Sequence, residues 1–183
     1  MGSKGTITHM HYDWSHNFKV VLKGKKRFVM YPPKEWKNLY LYPFLHPNKT
    51  KSQVEVTNPD MARFPNFKKS FHYEAVVSAG EILYIPPLWF HQVTALEPSI
   101  SVSVWTESQH HTNWDALVKL GLPFNSDWDG KTKITASVVF LQMILDKIVP
   151  DTSSFIRELY NIRYLNFIKK VPSVMDKTWK LCP

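Results

Sequence analysis

The chain has a single cysteine, Cys182, next to the C-terminal Pro183. That excludes a disulfide within the chain and suits a reducing compartment, the cytosol or the nucleus. No run approaches the roughly 18–20 consecutive apolar residues of a membrane-spanning helix. Met1 to Thr8 is short and polar and lacks the apolar stretch of a secretory signal. Internal repeats and low-complexity tracts are missing too. Acidic residues are in the minority, 15 Asp and Glu against 23 Lys and Arg, for a net charge of +8. The excess would suit acidic proteins or nucleic acid as partners, and equally an ordinary solvated basic surface. Its densest cluster, Lys23, Lys25, Lys26 and Arg27, is interrupted by Gly24, which reads as a hairpin turn rather than a nucleic-acid-binding tail.

What is present begins with size. At 183 residues the chain is long enough for one domain with its own core. Seven Trp, eight Tyr and eleven Phe supply large buried areas for a packed core or a lined cleft. Short segments rich in Val, Phe and Thr predict strands over Thr6–His11, Asn17–Leu22 and Lys26–Tyr31. Lys23-Gly24-Lys25 is expected to join the last two as a tight hairpin, and Pro32-Pro33 ends the third strand. Residues 34–71 hold Pro43, Pro47, Pro59 and Pro65 and few periodic runs. They form a long excursion with a helical turn near Lys34–Leu39, either a functional loop or a structural wrap. Strands resume at His72–Val77, Glu81–Ile85, His91–Ala95 and Ile100–Trp105, a spacing that suggests a sandwich or barrel. Beyond residue 110 the pattern turns helical. Ile134, Val138, Leu141, Leu145 and Ile148 predict one helix over 131–149. Pro150 ends it, and a second, over 152–168, starts near an Asp151–Ser153 cap. The barrel core is thus placed at 1–110, with 34–71 as its insert, and a helical region at 111–183.

His11-Tyr12-Asp13 sets two candidate metal ligands two positions apart, on one face if the segment is a strand. His91, opening a strand after Ile85-Pro86-Pro87-Leu88-Trp89-Phe90, is the best candidate for a third. Two histidines and a carboxylate leave positions free on a metal, the facial arrangement of non-haem Fe(II) sites. By itself His-x-Asp is a weak signal. His9 shares the strand face of His11 and competes with it, and His16, His46, His72, His110 and His111 are further choices.

Beyond these residues, the chain resembles the JmjC family of Fe(II)- and 2-oxoglutarate-dependent oxygenases. The resemblance runs from about Gly2 to Ser108. It rests on Gly5-Thr6 through His11-Tyr12-Asp13, Asn17, Lys23 to Arg27 leading into Tyr31-Pro32-Pro33, and Leu39-Tyr40. Ser52-Gln53-Val54, Asn58-Pro59-Asp60, Arg63-Phe64-Pro65, Gly80 through Pro86, Trp89 and His91 follow in order. Within that family it is similar to the hypoxia-inducible-factor asparaginyl hydroxylase and to small JmjC-only hydroxylases. The resemblance implies a mainly β fold, a double-stranded β-helix (cupin or jelly-roll) barrel, with two C-terminal helices. The family barrel has eight strands and seven are visible here, so the first is expected to be missing. The resemblance also implies Fe(II) on His11, Asp13 and His91, with 2-oxoglutarate as co-substrate and O2 as oxidant. Lys26 and Thr8 would hold the distal carboxylate, Asn17 would line the pocket and Trp105 would wall it. Without the resemblance, Lys26 reads as an exposed hairpin lysine no different from Lys23 or Lys25. Departures fall at substrate and pocket positions. Lys51 stands where the asparaginyl hydroxylase has a glutamine, Thr50 where it has an arginine and Ser103 where it has an asparagine. Lys51 would suit an acidic substrate group or be a solvated loop lysine.

The function expected is hydroxylation of a protein side chain. Demethylation and tRNA modification are variants of the same chemistry, and a catalytically silent interaction module is the rival. The helices at 131–168 are expected to form a homodimer or to fold back on their own barrel.

Overall fold

The computed structural model describes residues 1–44, 46–119 and 127–165. Its strands are β1 (Ile7–Tyr12), β2 (His16–Lys23), β3 (Lys25–Tyr31), β4 (Tyr73–Ser78), β5 (Ile82–Ile85), β6 (Phe90–Ala95) and β7 (Ile100–Thr106). Each end lies within one residue of the strand the sequence predicts, because strand-favouring composition and the flanking Pro and Gly breaks are local signals. The strands form two antiparallel sheets, ordered β1-β6-β3-β4 and β5-β2-β7. Among the described residues β7 pairs with β2 alone, so three strands face four.

The hairpin expected at Lys23-Gly24-Lys25 does not form. β2 pairs with β5 and β7, whereas β3 pairs with β4 and β6. Gly24 is instead the corner at which the chain crosses from one sheet to the other. It has φ +76° and passes so close to the Pro98–Ser99 backbone that a Cβ would lie 2.5 Å from the Pro98 carbonyl oxygen. A glycine between two strand-like runs marks a hairpin and a corner alike. Burial decides between them here, since Val21 of β2 and Phe28 of β3 enter one core shared by both sheets.

That core contains Val21, Phe28, Met30, Val77, Ile85 and Val93. A second cluster covers the other face of the four-stranded sheet. There Met10, Tyr12, Val29, Tyr31 and Phe90 pack with Leu39, Tyr40, Leu41, Val54, Phe64 and Phe67 of the excursion. Alternation along β3 divides its side chains between the two clusters. Segment 34–71 is therefore a structural wrap. It contains two short 3-10 turns, Pro33–Lys37 and Pro65–Lys69, each opened by a proline whose missing N–H is no loss there. Fully burying one of its phenylalanines is worth about 2–3 kcal/mol.

The helices are α1 (Gln109–Lys119), α2 (Gly130–Ile148) and α3 (Thr152–Tyr160), the last continuing into a π turn at Asn161–Leu165. The sequence does not single out α1, whose opening Gln-His-His-Thr has no apolar periodicity. Asp129 and Asp151 cap α2 and α3, accepting from the backbone N–H of Thr132 (2.7 Å) and Ser154 (2.9 Å). α3 docks on the wrap, where Lys37 pairs with Glu158 at 2.7 Å and Arg163 donates to the Tyr42 and Lys49 carbonyls. α2 has no buried residue. Residues 166–168 of the expected second helix, and Cys182, lie outside the described residues.

Candidate metal centre and its pocket

β1 and β6 run antiparallel with His11 directly opposite His91. Residues opposite each other in such a pair share a face, so both imidazoles point into the space between the sheets, with ring centroids 4.3 Å apart. Asp13 follows the end of β1, so the rule that places i and i+2 together on a strand does not strictly apply to it. It is fixed by its own carbonyl, which accepts from Leu88 N–H at 2.8 Å. Its carboxylate oxygens lie 4.0 Å from His11 Nε2 and 3.8 Å from His91 Nε2.

The second contacts of these ligands favour a metal. Nδ1 of His11 donates to the His9 carbonyl (2.8 Å) and Nδ1 of His91 to the Trp89 carbonyl (3.1 Å). Each ring thus donates from Nδ1 and turns its Nε2 inward, the usual way a ligating histidine is oriented. A divalent ion with bonds of roughly 2.1 Å holds its ligand atoms within about 4.2 Å of one another. One ligand atom from each of His11, Asp13 and His91 lies within 4.8 Å of the others, so small side-chain rotations close the set. Asn17, 1% exposed, donates to Asp13 Oδ2 at 3.3 Å, and its Oδ1 is buried without a partner. An orphaned acceptor beside the triad is what a metal-bound water would satisfy.

His9, a competing ligand in the sequence, is not in this group. A bulge between Thr8 and His11 breaks the alternation of β1. It allows Thr8, opposite Val93, to share the inward face with His11, three residues on. His9 is displaced to the surface, 3.6 Å from Glu55 and 65% exposed. Of the three lysines left open by the sequence, Lys26 faces inward, opposite Ala95 and Val77, and its Nζ donates to Ser101 Oγ at 2.8 Å. Lys23 and Lys25 are exposed. Ser103 and Trp105 lie on β7 opposite Lys19 and Asn17. Trp105 is 59% exposed, so it borders the pocket rather than belonging to the core. Lys51 is an exposed residue bridged to His11 along the free edge of β1, next to Thr50, whose carbonyl accepts from Tyr12 N–H.

Lys19 is the pocket residue that sequence reasoning missed. Its Nζ donates to Ser103 Oγ and lies 5.8 Å from the Trp105 ring centroid. Burial lowers the pKa of its ammonium, the Asp13 carboxylate opposes that, and the Lys26 charge adds to it. Burial also lowers the pKa of Lys26. The available signal was period two, since a lysine between Asn17 and Val21 occupies an inward position.

Burial, reinforced by the charge of His11, pushes the pKa of His91 down to about 4 from the ordinary 6.5. The folded, metal-free protein then binds fewer protons than the unfolded chain between those two values. Stability is complete above pH 6.5 and is lost as pH falls toward 4, by roughly 3 kcal/mol. Urea unfolding of EDTA-treated protein at pH 7 and pH 4.5 should show this drop, with His91→Gln losing much less. Equal pH dependence in the variant would assign the effect to other groups.

Comparison with known proteins agrees with this arrangement. The model of the family described as "Cupin-like domain" matches residues 1–112. The chain is 44% identical over 104 residues to JmjC domain-containing protein D of Dictyostelium discoideum, covering 56% of this chain and 23% of that protein. With tRNA wybutosine-synthesizing protein 5 of Danio rerio it shares 31% identity over 173 residues, 93% of this chain and 50% of the relative. With lysine-specific demethylase 8 of the same organism it shares 39% over 106 residues, 57% of this chain and 25% of the relative. The chain therefore spans half or less of the length of each. With its paired antiparallel sheets, its inward His-x-Asp and distant His, and a family match over more than half its length, this chain belongs to the cupin-like domain family that JmjC proteins share.

Proposed function

We propose that this chain is the catalytic barrel of an Fe(II)- and 2-oxoglutarate-dependent dioxygenase that hydroxylates a protein side chain. The observation that carries the reading is the inward convergence of His11, Asp13 and His91, with Nδ1 of each histidine already bonded to a backbone carbonyl. Such a set leaves room on the metal for a co-substrate and oxygen. Fe(II) and 2-oxoglutarate, when bound, would supply oxidative decarboxylation to succinate and carbon dioxide and the oxidant for a C–H bond. The chain's residues bind and orient. Asn17 holds the Asp13 carboxylate. Lys26, with Thr8 on the same inward surface, would receive the distal carboxylate of the co-substrate. Ser103 and Trp105 would flank it, and Lys51 at the β1 edge would meet an acidic group of the substrate. The cytoplasm or nucleus is the proposed location.

Succinate formation from 2-oxoglutarate with Fe(II), ascorbate and O2, without added substrate, tests this beside a His11→Ala control. Slow turnover that vanishes in the control supports the reading. Iron uptake with no turnover in either protein favours a silent interaction module.

A second reading is tRNA-directed oxidation. It is favoured by the relative named a tRNA wybutosine-synthesizing protein, which aligns over 93% of this chain, and by the net charge of +8. RNA affinity that falls steeply with salt supports it, and no binding at low salt removes it. The relative named a lysine demethylase keeps a methyl-lysine substrate within the same chemistry.

A homodimer through 131–168 completes the proposal. Ile134, Val138, Leu141 and Ile148 of α2 are 55–71% exposed, an apolar stripe that a second copy would cover. Light scattering at micromolar concentration should give twice the chain mass, and the mass of one chain removes the dimer.

A further inference from the structure

The inward face of β2 carries Asn17, Lys19 and Val21, opposite Trp105, Ser103 and Ser101 of β7. Asn17 bonds Asp13 at the metal end. Lys19 Nζ is seated on Ser103 Oγ, and Lys26 Nζ on Ser101 Oγ at 2.8 Å. Ser103 and Ser101, two residues apart on one strand, are about 7 Å apart along it. Two ammonium groups, one from each sheet, are therefore seated on neighbouring inward serines of β7. Among the described residues neither has a carboxylate within 4.0 Å. Neutral serine hydroxyls are the hydrogen-bond partners of both.

Two partly buried like charges repel each other and lose hydration, and serine hydroxyls compensate only in part. An anion placed between them would offset their mutual repulsion and take a charge-assisted hydrogen bond from each. One carboxylate can accept from both, since two N–H donors at about 2.8 Å on opposite sides of it are themselves some 5–6 Å apart.

We propose that Lys19 is a second anion-binding residue of this pocket, gripping together with Lys26 the distal carboxylate of a 2-oxo dicarboxylic acid. The inference rests on the co-substrate reading given above and adds to it a cation that also sets selectivity. With two ammonium groups at its inner end, the pocket favours oxo acids with a distal carboxylate over those without one. Of the two, Lys19 is on the triad side, where its charge is also felt by Asp13 and His91.

The test is calorimetric titration of anaerobic, Mn(II)-loaded protein with 2-oxoglutarate and with 2-oxobutyrate, which lacks the distal carboxylate. Lys19→Met is expected to weaken 2-oxoglutarate by about tenfold to a hundredfold. It should leave 2-oxobutyrate within about threefold and Mn(II) affinity unchanged within the same factor. Lys19→Arg, which keeps the charge, should recover most of the loss. Lys19→Gln, with the melting temperature of each metal-free variant, separates a binding effect from a folding one. Equal 2-oxoglutarate affinity in wild type and Lys19→Met would overturn the inference and leave the co-substrate reading standing. Equal weakening of both oxo acids, or loss of Mn(II), would overturn it as well, since Lys19 would then act through the triad. A Mn(II)-loaded wild type that binds no 2-oxoglutarate removes the co-substrate reading, and the inference with it.

Discussion

Asp13→Ala is expected to lower divalent-metal affinity by about a hundredfold or more while costing the metal-free fold only about 1–3 kcal/mol. Asp13 supplies the one carboxylate of the triad, so its loss removes both a ligand and the triad's negative charge. Removing a residue that merely orients a ligand typically costs tenfold to a hundredfold in affinity, and a direct anionic ligand should exceed that. The fold should tolerate the change because the side chain is 30% exposed and its truncation leaves no sealed cavity. Two further effects follow from its contacts. Asn17 loses its acceptor, and Lys19 loses the carboxylate that offsets its burial. Asp13→Asn keeps the size and removes the charge, so comparing the two variants separates geometry from electrostatics. Mn(II) or Co(II) titration of chelator-treated protein, with a thermal melt of each variant, measures both quantities. Metal binding retained in Asp13→Ala would place the ion away from this triad.

Gly24→Ala is expected to destabilise the protein by about 2–5 kcal/mol, which for a chain of this size lowers Tm by about 5–15 °C. Two costs combine. The residue has φ +76°, a left-handed conformation worth about 1–2 kcal/mol against any residue with a Cβ. The added Cβ would also lie 2.5 Å from the Pro98 carbonyl oxygen and 2.9 Å from Ser99 Cβ, so the backbone must move. Gly80 provides the control, with φ +90° and nothing within 4 Å of its Cβ position. Gly80→Ala should cost only the conformational part, about 1–2 kcal/mol. The difference between the two variants measures how tightly the inter-sheet corner packs on the turn before β7. Similar losses in both would mean that this turn yields easily and does not fix the corner. The effect bears on function because β2 and β3, on either side of Gly24, carry Asn17, Lys19 and Lys26.

Most of the strand map was legible because its signals are local. Apolar, strand-favouring runs such as Phe28-Val29-Met30-Tyr31, and breaks at Pro32-Pro33 and Pro86-Pro87, lie within a few residues of what they mark. The ligand types were legible too, since His11-Tyr12-Asp13 and His91 carry their chemistry in their identities. Those same signals could not say which sheet a strand joins. The hairpin expected at Gly24 was wrong for that reason, and Lys19 was overlooked because its significance depends on β7, more than 80 residues away in the chain. His9 was retained as a rival ligand because regular alternation was assumed across the bulge that only the pairing with β6 reveals.

The sequence by itself determined where the strands and the two main helices lie, and which side chains are chemically able to hold a metal. The tertiary structure decided that His11 and His91 face each other, that Thr8 rather than His9 joins them, and that Lys19 and Lys26 meet at neighbouring serines. It also decided that residues 34–71 wrap the four-stranded sheet. The physical reason is the range of the interactions. Backbone preference and periodicity act over a few residues, whereas pairing register, inter-sheet burial and the convergence of charges depend on contacts that exist only once distant segments have come together.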